Sequence, residues 1–315
     1  MNFNRRALPA GSEIGSWTAA DGWSHRTFEW PRVPYGKERG AILFLGGRGD
    51  IFEKYLETFD HWHRAGWSVT SFDWRGQGGS GRLSADPGCG HAASFAPWID
   101  DLAAFVEQWR ATNAGPHVMV GHSMGGHLTL RALSERRIAP DAVILSAPML
   151  GLRSAPFGAR FAAKVAALMC RIGKPERLAW KANERPGVPM KGRRALLTHH
   201  GERYEDELWW KAAKPEIAVG PPSWAWVAEA YRSTLALEER GCLESIQTPI
   251  LILAAEQDRL VDHAAIVRSA ARLPNVKLRS WGPESAHEIL READPVRDAA
   301  LAEIDCFLDR HAPAS

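Results

Sequence analysis

The residues best placed to do chemistry are those of GHSMGG at 121–126. Ser123 stands there in a G-x-S-x-G setting, directly after the apolar run 117–120 and at the start of a helical run from Met124. A serine on so tight a strand-to-helix turn takes strained backbone angles, so the residues two before and two after it must be small. Gly121 and Gly125 meet that need, and Gly126 permits close approach to the sheet. The hydroxyl then stands over a helix N-terminus, whose dipole favours developing negative charge. The chemistry this setting predicts is nucleophilic attack on an acyl carbon.

A serine hydroxyl is a weak nucleophile at neutral pH and needs a base, which in turn needs an orienting carboxylate. With this kind of elbow the three follow in the order Ser, Asp or Glu, His. The apolar run 250–254 reads as a strand, and AEQDRLVD at 255–262 leaves its carboxyl end. Asp258 is the first aspartate of that loop and is the expected orienting group. Asp262, just before His263 and Ala264, suits a helix N-cap instead. The last strand, 276–281, leads into GPESAHEIL, which makes His287 the expected base. The other histidines have plainer roles: His122 packs beside Ser123, His61 and His63 point to opposite sides of a helix, and His199 and His200 lie without other ligand types nearby. No HExxH occurs, which disfavours a zinc hydrolase.

An acyl transfer also needs two backbone N–H groups aimed at the developing oxyanion. Met124, directly after the nucleophile, supplies one. LGGRGD at 45–50 supplies the other: its glycines let the backbone come close, and Arg48 N–H is the expected donor. No GK[ST] follows, so this is not a phosphate loop. A second glycine-rich stretch, FDWRGQGGSGR at 72–82, lacks both GxGxxG spacing and a following helix. There Asp73 and Arg75 are expected to lock the turn by a charge-assisted hydrogen bond.

The elements that must carry these groups alternate. Runs 41–45, 68–72, 117–120, 142–145, 250–254 and 276–281 read as buried strands, and 53–65, 94–111, 124–136, 264–273 and 295–310 as helices. That rhythm predicts an α/β fold, a mostly parallel central sheet with helices on both faces and functional loops at the strands' carboxyl ends. Between about Met149 and Leu243 the rhythm breaks into helical, Trp- and Pro-rich text. The expected organisation is therefore a core of 1–148 and 244–315 with an inserted helical cap at 149–243. The cap is the basic part: residues 151–215 hold fourteen Lys and Arg against six Asp and Glu, on a chain of net charge +2.

Composition narrows the class. With 315 residues, 45% apolar and 24% charged, the chain is neither disordered nor fibrous. Its charge balance gives no reason to invoke nucleic acid. No apolar run reaches the ~18 residues of a membrane span, and the N-terminal stretch lacks the apolar core of a secretory signal. Cys89, Cys170, Cys242 and Cys306 lie far apart without a CxxC pair, which favours reduced thiols and a cytoplasmic setting.

With these pieces in place the chain resembles the bacterial lysophospholipase and monoacylglycerol lipase branch of the α/β-hydrolases, the serine-aminopeptidase-like family. The resemblance is carried by GGRGDIFEKY (46–55), FDWRGQGGSGR (72–82), GHSMGG (121–126), LSAPML (145–150), VGPPSWAWVAEA (219–230), AEQDRLVD (255–262) and AHEILRE (286–292). It implies a serine hydrolase of lipid-like carboxylic esters, most closely lysophospholipids, with no metal or organic cofactor. It also implies a triad of Ser123, Asp258 and His287, with Arg48 and Met124 as oxyanion donors. Monoacylglycerol lipases usually carry His-Gly in the oxyanion loop; Gly46-Gly47 here is closer to the lysophospholipase side.

Other readings of the same fold are a monoacylglycerol lipase, a general carboxylesterase or thioesterase, a serine aminopeptidase and a non-catalytic ligand receptor. Dehalogenases and epoxide hydrolases need Asp where Ser123 stands. Within the cap, Phe157, Phe161, Val165, Leu168, Met169 and Ile172 share one helical face, with Arg160, Lys164, Arg171 and Lys174 around it. Two expectations fit that pattern: a helix lying on an anionic membrane surface, or one packed on the core with a solvated basic face. Oligomeric state is not written in the sequence.

Overall fold

Strands β3 (Gly40–Leu45), β5 (His117–His122), β6 (Ala142–Ser146) and β7 (Ile250–Ala255) are apolar along their length and almost wholly buried, as parallel strands covered on both faces must be. The computed structural model describes residues 3–32, 38–154, 156–180 and 192–314. It joins these strands with β1 (Glu13–Thr18), β2 (Ser24–Trp30), β4 (Trp67–Phe72) and β8 (Val276–Trp281) in one eight-stranded sheet of order β1-β2-β4-β3-β5-β6-β7-β8. From β4 to β8 all pairings are parallel; β2 runs antiparallel to both β1 and β4. The sequence reading did not single out β1 and β2. Their text, EIGSWT and SHRTFEW, mixes polar and apolar residues because they lie toward the sheet's edge, with β1 largely exposed.

The two-residue period of a strand decides which helix each side chain meets. Ala41, Leu43 and Leu45 of β3 face a core shared with helices α2 (Ala96–Thr112), α3 (Met124–Ser134) and α8 (His263–Ala270). Ile42 and Phe44 face the opposite core, built by α1 (Leu56–Arg64) and α9 (Asp294–His311). The expected strands and helices are thus all present, to within a few residues at their ends, and helices cover both faces.

Between β6 and β7 the described residues form helices α4 (Ala159–Arg171), α5 (Arg194–Leu197), α6 (Gly201–Ala213) and α7 (Trp224–Leu237), with only isolated bridges and no strand. Helix α4 packs on α7 through small residues: Ala166 is buried, and Ala159, Ala162 and Ala163 are partly so. Its large side chains turn the other way. Phe157 is 71% and Ile172 66% exposed, and Phe161, Val165 and Leu168 are exposed as well. The expected apolar face, except for the half-buried Met169, looks outward rather than onto the core. Among the described residues no helix is long and apolar enough to cross a membrane.

Candidate active site

Ser123 ends the turn from β5 into α3 with its backbone at φ 50° and ψ −114°, a conformation that a non-glycine residue keeps only where its surroundings enforce it. The surroundings are the predicted glycines. A Cβ at Gly121 would lie 2.6 Å from Gly126 Cα, and one at Gly125 would lie 2.3 Å from the Leu45 carbonyl oxygen. Hydrogen bonds close the turn: Ser123 N–H donates to the Ser146 carbonyl at 2.9 Å, and Met149 N–H donates back to the Ser123 carbonyl at 2.9 Å.

The loops after β7 and β8 bring the other two predicted residues to this serine. Ser123 Oγ lies 2.9 Å from His287 Nε2 and donates to it, while His287 Nδ1–H donates to Asp258 Oδ2 at 2.6 Å. The carboxylate can only accept, which fixes this tautomer. Asp258 Oδ1 accepts from the N–H groups of Leu260, at 2.8 Å, and Val261, at 3.1 Å. Burial pushes the Asp258 carboxyl up, but the His287 charge and these donors outweigh it and hold it below the ordinary carboxylate range. Asp262 lies apart from this group and caps α8, accepting from Ala264 N–H at 3.0 Å.

Burial alone would push His287 down. The Asp258 carboxylate at Nδ1, with Glu288 and Asp50 nearby, reverses this and raises the imidazole above its ordinary 6.5. As the expected base, His287 would work only when deprotonated, so activity is expected to fall as pH falls through the raised value. The acid limb of kcat/KM against pH is therefore expected above 6.5. A limb at or below that value, measured with a soluble ester, would contradict this electrostatic picture.

The loop after β3 runs against Ser123, since a Cβ at Gly47 would sit 3.0 Å from Ser123 Cβ. Gly47 N–H donates to Asp50 Oδ2 at 2.8 Å and Gly49 N–H to Gln77 Oε1 at 2.6 Å. The Arg48 side chain reaches across to the Gly220 carbonyl at 2.8 Å and lies over the Trp226 ring. Met124 follows Ser123 as the first residue of α3.

Several partners differ from those expected. Asp73 and Arg75 both brace the 72–82 turn, but not with each other. Asp73 accepts from Arg26 at 2.8 Å and from Gly79 N–H at 2.7 Å, while Arg75 pairs with Asp101 and Asp21. The spacing marked the two residues as structural, but their partners are brought by β2, α2 and the turn between β1 and β2. His122 lies with its ring centroid 4.9 Å from that of His287 and donates from Nδ1 to Asp50 Oδ2 at 2.8 Å. His199, expected to lie without other ligand types nearby, bonds to Glu292 at 3.0 Å. No group of three or more His, Cys, Asp or Glu side chains suited to a metal ion occurs among the described residues. Sequence reasoning missed the bracing roles of Asp50 and Gln77; a buried carboxylate in a glycine-rich loop leaves no signal without its distant partners.

A parallel-centred sheet that carries Ser123 on an elbow after β5, with Asp258 and His287 on the loops after β7 and β8, defines an α/β-hydrolase. The fold is shared with a soluble variant of monoglyceride lipase from Saccharomyces cerevisiae, solved with a substrate analogue. The TM-score is 0.77 over 98% of each chain at 19% identity. Within that class the chain belongs to the family described as serine aminopeptidase, S33, whose model matches residues 36–294. Among its relatives is lysophospholipase L2 of Escherichia coli K12, 36% identical across 86% of this chain and 81% of that one. Phospholipase YtpA of Bacillus subtilis is 25% identical across 86% of this chain and 95% of its own.

Proposed function

We propose that the protein is a lysophospholipase-like carboxylic ester hydrolase that works through an acyl-enzyme on Ser123. The observation that carries this reading is the continuous relay from Asp258 through His287 to a serine on a strained elbow. Ser123 Oγ adds to the ester carbonyl carbon as its proton passes to His287 Nε2, and Asp258 steadies the resulting imidazolium. The N–H groups of Met124 and Arg48 hold the oxyanion; those of Gly47 and Gly49 already serve Asp50 and Gln77. His287 then protonates the departing alcohol oxygen. A water gives its proton to His287 and attacks the acyl carbon, and Oγ leaves with the proton from Nε2, releasing the carboxylic acid.

Lysophospholipids are the favoured esters because the relatives that match most of both chains are named lysophospholipases and a phospholipase. A buried acyl chain contributes about 0.8 kcal/mol per methylene before ordering costs. Residues 149–243 are assigned as the cap that provides this burial, with 1–148 and 244–315 as the core. In support, the Arg48 contacts with Gly220 and Trp226 tie that segment to the loop beside Ser123. The test is hydrolysis of a matched panel: lysophosphatidylcholine, lysophosphatidylethanolamine, a monoacylglycerol, a short p-nitrophenyl ester and an aminoacyl amide. Preference for the lysophospholipids supports the assignment; preference for the short ester or the amide keeps the chemistry and discards the lipid.

The outward apolar face of α4, ringed by exposed Arg160, Lys164, Arg171 and Lys174, matches a helix that lies in an anionic bilayer surface. The protein is therefore expected to sediment with vesicles containing phosphatidylglycerol, less so at high salt. Replacing Phe157, Phe161 and Leu168 by Ser should weaken this at least about tenfold, while turnover of the short p-nitrophenyl ester stays within about twofold. Sedimentation indifferent to both anionic lipid and salt would remove the membrane role.

A further inference from the structure

Six ionised side chains lie buried behind the site, on elements far apart in sequence. Lys54 Nζ sits among three carboxylates: Asp50 at 2.5 Å, Glu288 at 2.6 Å and Glu207 at 3.2 Å. Arg291 pairs with Glu288 and, at 3.2 Å, with Glu207. Lys211 donates to Glu207 at 2.6 Å and to the Gly49 carbonyl at 3.3 Å. All six side chains are buried, and the charges balance, three carboxylates against three cations. Arg193 stands at the partly exposed rim, 3.9 Å from Glu207.

The cluster reaches the site on two sides. Asp50 accepts from Gly47 N–H, Tyr55 OH and His122 Nδ1, so it holds the loop that runs against Ser123. Glu288 directly follows His287, and its own N–H and that of His287 donate to the carbonyls of Leu197 and Leu196. Glu207 and Lys211 belong to α6, so this helix is bolted to both loops by charge.

Such burial is unfavourable unless every charge is paired, and its use is to specify position. We propose that Glu288 and Lys211 are positioning residues of the site: through the cluster they anchor the loop after β3 and the loop of His287 to α6, and the cluster's charge balance sets the electrostatic field at the His287 imidazole. The inference rests on reading His287 as the base. The groups facing His287 are Asp258 from the loop after β7, Ser123 and His122 from the end of β5, Asp50 from the loop after β3 and Glu288 beside it. Asp258 is held fixed by its two backbone donors, so a change in the cluster is felt as an added or missing charge.

The test is the acid limb of kcat/KM against pH on a soluble p-nitrophenyl ester, with the folded fraction counted by fluorophosphonate labelling. Glu288→Gln leaves a surplus positive charge and should move the limb down by about half a pH unit or more. Lys211→Met leaves a surplus negative charge and should move it up. The charge-neutral double variant Glu207→Gln/Lys211→Met should return it close to the wild-type position. Limbs that stay put in both single variants, or move the same way, overturn the proposal. Should Lys211→Met not fold, Glu288→Gln decides alone, and an unmoved limb overturns it. Failure of wild-type Ser123 to label would instead overturn the reading of the site itself.

Discussion

Ser123→Ala is expected to abolish covalent labelling by a fluorophosphonate and to lower turnover of the best ester by about 10⁴-fold or more. Only the Oγ is lost. Alanine keeps the same Cβ, so the strain at φ 50° is unchanged, and the backbone bonds to Ser146 and Met149 that close the turn remain. The fold should therefore survive, with a melting temperature within a few degrees of wild type. The backbone donors proposed for the oxyanion remain in place, so some acceleration over water is expected to persist. Turnover within tenfold of wild type, in folded protein, would place the nucleophile elsewhere.

Asp258→Asn and Asp262→Asn form the second decisive comparison. At Asp258 the N–H groups of Leu260 and Val261 demand an acceptor on one side of the side chain. An asparagine satisfies them with its oxygen and so turns its NH₂ toward His287 Nδ1. Two donors then face each other, and the imidazole responds by moving its proton to Nε2, where it can no longer receive the Ser123 proton. A loss of about 10³- to 10⁴-fold in kcat is expected. Asp262 caps α8 and makes only a loose, exposed pair with Arg268 at 4.0 Å, and Asn caps about as well as Asp, so Asp262→Asn should stay within about threefold. Kinetics on one soluble ester checks both, and the reverse ranking would exchange the roles.

The sequence made the centre of the molecule legible and its periphery less so. Central parallel strands are continuous apolar runs, so β3, β5, β6 and β7 could be found, and the alternation of elements added β4 and β8 and with them the loop that each functional residue occupies; β8, read as buried, is a half-exposed edge strand. The elbow is legible because sterics restrict its neighbours to glycine, a constraint local in sequence. Edge strand β1 and its neighbour β2 carry no such signature. Contacts made only by the fold were silent as well: Lys54 and Glu288 are 234 residues apart, and nothing in FEKY marks its lysine as buried. Helix α4 shows a third limit. Its periodicity defines an apolar face, but which way that face points depends on the alanines that dock it on α7.

The segment between β6 and β7 contains two parts with different relations to the core. Helix α4 rests on α7 through alanines, a seam of small residues with no ionic pairing to the loops of Ser123 or His287 among the described residues. The stretch from Arg194 to Ala213, by contrast, supplies carbonyls to the His287 loop and charges to the buried cluster. Sequence drift among relatives is expected to be correspondingly uneven. The α4 half is free to be remodelled for a new acyl chain or a new membrane, as an interchangeable fitting. The later half is bound by the same exacting geometry as the elbow and must be inherited with it, although it lies outside the sheet.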